Sequence, residues 1–115
     1  MNEPSHPPKH ERFMALFVRH EPAIHALLTS LLANLEDAEE VLQEVSLIMW
    51  RKFDQFERGT SFRNWAFQIA RLEAMNFRRK RQRDRHLFDD RLLELLTDEA
   101  AQHAVELEEQ RRALA

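Results

Sequence analysis

The sequence predicts an all-α fold: a compact bundle of three to four helices followed by a C-terminal helical extension. Three observations carry that expectation. The 115 residues include a single glycine, Gly59, and four prolines, three of them before residue 9, so few positions force a turn. Apolar residues recur at i, i+3, i+4 and i+7 through most of the chain, the spacing of a helix with one buried stripe. No stretch shows the alternation of apolar and polar residues that a half-buried strand requires.

Taken in order, residues 1–8 are proline-rich and polar and are expected to form a disordered lead-in. A first helix is expected over residues 9–20, with Phe13, Leu16 and Phe17 on one face. Pro22 separates it from a second helix over residues 22–33, because a fixed φ and a missing N–H suit a first turn. Ile24, Leu27, Leu28, Leu31 and Leu32 form the inward face there. Asn34 is placed to cap a third helix over residues 35–53, whose first turn carries Glu36, Asp37, Glu39 and Glu40 near the positive end of its dipole. Ala38, Val41, Leu42, Val45, Ile48, Met49 and Phe53 make its core stripe.

A polar turn around Gly59 follows, and Thr60 or Ser61 caps a long fourth helix. Its inward stripe is Phe62, Trp65, Ala66, Ile69, Ala70, Glu73, Asn76 and Phe77. A charged hinge is expected over residues 83–85, then a short leucine-rich helix over residues 87–96. Thr97 reads as the N-cap of a last, acidic helix to about residue 114, which is expected to extend away from the body because its apolar stripe (Ala101, Ala104, Val105, Leu107) is thin. The organisation is therefore a helical domain over residues 9–85 and a tail over residues 86–115.

Hydrophobic residues make up 43% of the chain and charged residues 32%, the balance of a soluble helical protein. The net charge of −3 does not by itself point to nucleic acid; the distribution of charge does. Acids gather over residues 36–44 and 98–109. Residues 71–85 hold seven bases against two acids, a local balance of +5. Two such regions call for two partners of opposite charge. The absence of cysteine excludes disulfides and thiolate metal sites and fits a reducing, cytoplasmic setting. No apolar run is long enough to cross a membrane, and the first ten residues lack the apolar core of a secretory signal.

The acidic candidate is the strip Glu40, Gln43, Glu44 and Leu47 on the third helix: carboxylates and an amide around an apolar spot. Such a strip receives an arginine-bearing helix, since bidentate arginine–carboxylate pairs orient as well as attract. The alternative reading is a solvated face with acids placed for the dipole, and on spacing alone it is the commoner outcome.

The basic candidate is the turn and the fourth helix. Arg58, Thr60, Ser61, Arg63 and Asn64 cluster near a helix N-terminus, where phosphates and base edges are reached. Gln68, Arg71, Met75, Arg78 and Arg79 lie on the outward face, and Lys80 and Arg83 extend the cluster. Phe56, Phe62 and Trp65 have two readings, as a pocket for an unstacked base or as core. Six histidines are scattered, and no ligand spacing or nucleophile–base pair is present, so no metal, cofactor or catalysis is expected.

The segments FMALFVRHEPAIHALL, DAEEVLQEVSLIMWRKFDQF and FRNWAFQIARLEAMNFRRKRQR, in that order, resemble region 2 of bacterial RNA polymerase sigma factors, above all the small extracytoplasmic-function type, over about residues 10–83. The resemblance implies a helical region 2 fold and two partners: core RNA polymerase, through the clamp helices of its largest subunit, and promoter DNA at the −10 element. It places the polymerase contact on Glu40, Gln43 and Glu44, with Asp37 and Leu47 beside them. It places recognition and melting of the −10 element, with a base captured by the loop, on Arg58, Thr60, Ser61, Arg63 and Asn64 and on Gln68, Arg71, Leu72, Met75 and Arg79. Leu72 stands where many family members carry asparagine. The acidic segment ending LEEQRRALA looks like the linker toward a second, −35-reading domain that this chain does not contain. Family precedent also implies an anti-sigma protein that covers the polymerase-docking surface. The alternative function is a helical adaptor whose basic face binds an acidic protein.

Overall fold

In the computed structural model, residues 7–114 are described. Most of the expected lead-in, residues 1–6, lies outside them. The chain forms α1 (Lys9–Leu32), α2 (Leu35–Lys52), a 3-10 turn (Phe53–Gln55) and α3 (Phe62–Leu114). It divides into two compact units, Met1–Arg78 and Arg79–Ala115.

In the first unit, α1 starts at Pro8, whose carbonyl accepts from the N–H groups of Glu11 and Arg12, both at 3.1 Å. Pro22 does not divide this helix, contrary to the expectation of two. Proline in a helix interior removes one bond, here to the Val18 carbonyl. Both Pro22 and Val18 are exposed, which leaves that carbonyl to water, while Ile24 and Leu28 beyond the proline are fully buried and hold the helix on course. The helix ends at Ala33, in the left-handed region at φ 53°, with its N–H donating to the Thr29 carbonyl at 2.8 Å.

The cap expected at Asn34 is present: its Oδ1 accepts from the Asp37 N–H at 3.0 Å. Ala38, Val41, Val45 and Met49 form the sealed stripe of α2, with Leu42 packed against it. Phe53, expected to be the last helical residue, opens the 3-10 turn and is buried there. Ile24, Leu28, Val45 and Met49 are the largest fully buried side chains, each stabilising by roughly 1.5–3 kcal/mol against exposure.

Thr60 N–H donates to the Glu57 carbonyl at 3.2 Å, and Gly59 sits between them at φ +83°, the third position of a type II turn. The Thr60 hydroxyl donates to the same carbonyl at 2.6 Å and is thereby committed to the turn. The cap of α3 is therefore Ser61, whose Oγ accepts from the Asn64 N–H at 3.2 Å.

From there α3 buries Phe62, Ala66, Ala70 and Ala74, one residue per turn. Alanine at three successive turns lets the helix approach its neighbours closely. Trp65, Phe67, Ile69 and Phe77 pack beside this line. The expected stripe is corrected at two places: Asn76 is exposed, and Ala74 takes the buried position. An aromatic cluster joins the elements, with Phe53 5.3 Å from Phe13 and Phe56 5.3 Å from Trp65 between ring centroids.

The second unit holds only the later part of α3, from Arg79 on, and every described residue in it is exposed. The hinge expected over residues 83–85 and the break at Thr97 are absent. Thr97 lies inside the helix, its hydroxyl donating to the Leu93 carbonyl at 2.8 Å. Neither proline nor glycine occurs after Gly59, so nothing in this stretch forces an interruption. Among the described residues no helix is long and apolar enough to cross a membrane.

Candidate protein and nucleic-acid interfaces

The core stripe of α2 fixes where its acids go. With Ala38, Val41, Val45 and Met49 inward, Glu40, Gln43, Glu44 and Leu47 fall on the exposed side, and Leu47 is 50% exposed. Asp37 is half-buried at the margin. Trp50, one turn after Leu47, extends the strip and was not foreseen. Its signal was available in the spacing of residues 40, 43, 47 and 50. Its ring lies 4.3 Å beneath the Lys9 ammonium, which also pairs with Asp54 at 3.2 Å, so α1 borders the strip at this end.

The turn sets up the second surface. Arg58, Thr60, Ser61, Arg63 and Asn64 are all exposed around the N-terminus of α3. Further along, Gln68, Arg71, Leu72 and Met75 share one exposed side, with Leu72 and Met75 each about half exposed (53% and 51%). Arg78 closes the first unit. Arg79, Lys80 and Arg83 belong to the second, where they are exposed. Phe67, absent from the sequence-based set, organises two of the arginines: the guanidinium of Arg63 is 5.0 Å and that of Arg71 6.0 Å from its ring centroid. An arginine four residues to either side of an aromatic residue was the legible sign of it.

The aromatic residues settle mostly into the core. Phe62 is buried, and Trp65 is half-buried against Phe53, Phe56 and Phe62, so they do not form an open stacking platform. Phe56 borders a groove. That groove, of about 470 Å³, runs between Arg12 and Leu16 of α1, Phe53, Phe56 and Arg58. The Arg12 Nε inside it is buried with no hydrogen-bond partner among the described residues, and the guanidinium stands 5.6 Å over the Phe53 ring. No group of three or more acids and histidines that would hold a metal occurs among the described residues.

A family model for sigma-70 region 2 matches residues 16–84. No curated protein and no solved structure matches the chain. The matched residues, more than half of the chain, take in the acidic strip of α2, the type II turn and the buried line of α3. The chain belongs to the sigma-70 region 2 family, the non-catalytic module with which sigma factors bind RNA polymerase and take part in promoter melting.

Proposed function

We propose that this chain is the promoter-opening module of an extracytoplasmic-function sigma factor and acts in the cytoplasm. Glu40, Gln43 and Glu44, with Asp37 and Leu47 beside them, dock on the clamp helices of the largest polymerase subunit. Arg58, Thr60, Ser61, Arg63 and Asn64, with Gln68, Arg71, Leu72, Met75, Arg78, Arg79, Lys80 and Arg83, engage the −10 element. Residues 86–115 lead toward a second, −35-reading domain. An anti-sigma protein that covers the acidic strip would silence the module.

The observation that carries this reading is that one small core supports two separate exposed surfaces of opposite charge, on α2 and on the turn with α3. Carboxylates around the apolar Leu47 suit a basic protein helix. Exposed arginines and amides beside a helix N-terminus suit the phosphates and edges of a separated strand. The groove beside Phe56 and Arg58, lined by the aromatic Phe53 and Phe56, by Arg12 and Arg58 and by the single acid Glu11, is where a base turned out of the duplex would be received. Unstacking costs a few kcal/mol, which contacts of this kind offset.

The deciding experiment reverses the charge of Glu40 and Glu44 together, as Glu40→Lys and Glu44→Lys. Both side chains are exposed, so circular dichroism and melting temperature stay near wild type, while binding to core polymerase is lost. Polymerase binding that survives the double reversal in a folded protein would sink the proposal.

A further inference from the structure

The second unit is a helix with every described residue exposed, yet its composition is not that of a helix suited to water on all sides. Leu92, Leu93, Leu96 and Leu107 are 46%, 64%, 53% and 52% exposed, and with Ala100 they fall on one side of the helix. Charge is segregated along the same segment. Residues 79–85 hold five bases and one acid, whereas residues 94–109 hold six acids and neither lysine nor arginine.

We propose that this segment pairs with the same segment of a second copy of the chain, antiparallel, about a two-fold axis at Leu96. A two-fold contact is self-complementary, so each residue before the axis meets one equally far after it. Leu96 then meets its own copy and Leu92 meets Ala100. Asp89 meets His103. Arg85 meets Leu107, over which its stem lies while its charge stands between Glu106 and Glu108. Each basic end thus faces an acidic end. A parallel pair buries the same leucines but sets the acids of residues 94–109 against their own copies, and the bases of residues 79–85 likewise. Like charges across a helix pair are unfavourable, so charge selects the direction while the leucines supply the attraction.

The chain contains no cysteine, so single substitutions report the geometry. Asp89→Cys and His103→Cys variants of the full chain are mixed and oxidised. The expected product is the mixed dimer, several-fold more abundant than either homodimer. Sedimentation equilibrium of the wild type shows a monomer–dimer equilibrium. Leu96→Asp, which sets two carboxylates face to face at the axis, weakens it by at least about tenfold, with helix content unchanged. Preferential homodimers of each cysteine variant, a wild type that stays monomeric at every concentration, or a Leu96→Asp variant that associates normally would each overturn the proposal.

Discussion

The guanidinium of Arg63 stands 5.0 Å from the ring centroid of Phe67, one turn further along α3, and that of Arg71, one turn beyond Phe67, stands 6.0 Å from the same centroid. Phe67 is half-buried against the core, so the ring is a fixed plate that restrains two otherwise flexible side chains. Cation–π contacts of this kind stabilise by about 0.5–1 kcal/mol each at exposed sites. Phe67→Leu keeps the apolar burial and removes the plate. The expected result is a melting temperature close to wild type, with binding to a single-stranded −10 oligonucleotide, in the presence of polymerase, weakened by roughly fivefold. Unchanged binding would show that the two arginines need no such support.

The basic face of α3 makes a separate demand on salt. Each phosphate contact on a single strand contributes about 0.7 to the slope of log affinity against log salt, so Arg71→Ala combined with Arg79→Ala should lower that slope by about 1.4. Both residues are exposed, and the fold should be unaffected. Equal slopes for variant and wild type would remove these two residues from the DNA surface.

Gly59 is held at φ +83° in the turn that presents Arg58 and Ser61. Beyond its own chain neighbours, no atom lies within 4 Å of the place where a Cβ would stand, so the strain of substitution there is conformational. Gly59→Ala is expected to cost roughly 1–2 kcal/mol, seen as a fall of about 4–8 °C in melting temperature for each kcal/mol. Ala33 poses the same problem in reverse, since it already carries a Cβ at φ 53°. Ala33→Gly relieves that strain but loosens the unfolded chain, and a net gain of up to about 1 kcal/mol is expected. A loss of stability would mean that the entropy of the unfolded state outweighs the strain.

Much of this was legible in the sequence, and the exceptions share a cause. Local chemistry identified the Asn34 cap and the stripes of α1 and α2, because apolar spacing and a capping amide act within a turn or two. Pro22 and Thr97 misled for the same reason: both are boundary residues by local preference. At Pro22 the burial of Ile24 and Leu28 overrides the missing bond, and at Thr97 a run of good helix formers leaves the hydroxyl to bond one turn back. Trp50 and Phe67 are aromatic residues that residue type assigns to the core, although the spacing around each marks a surface role; each divides its surface between neighbours and solvent. The choice between Thr60 and Ser61 was equally beyond the sequence, since it depends on which carbonyl the threonine hydroxyl meets.

The contrast between Asn34 and Thr97 can be measured directly. Asn34 satisfies the Asp37 N–H at the start of α2, so Asn34→Ala leaves a helix-terminal donor without its partner and should cost about 1 kcal/mol. Thr97 caps nothing. Its hydroxyl bonds the Leu93 carbonyl, a group that the helix backbone already engages. Thr97→Ala exchanges a β-branched residue for the best helix former, and the expected change is neutral to slightly stabilising, by up to about 0.5 kcal/mol. Chemical denaturation of the two variants side by side, followed by circular dichroism, checks both values. A Thr97→Ala variant with clearly reduced helix content would restore a helix start at that position and contradict the continuous α3 described here.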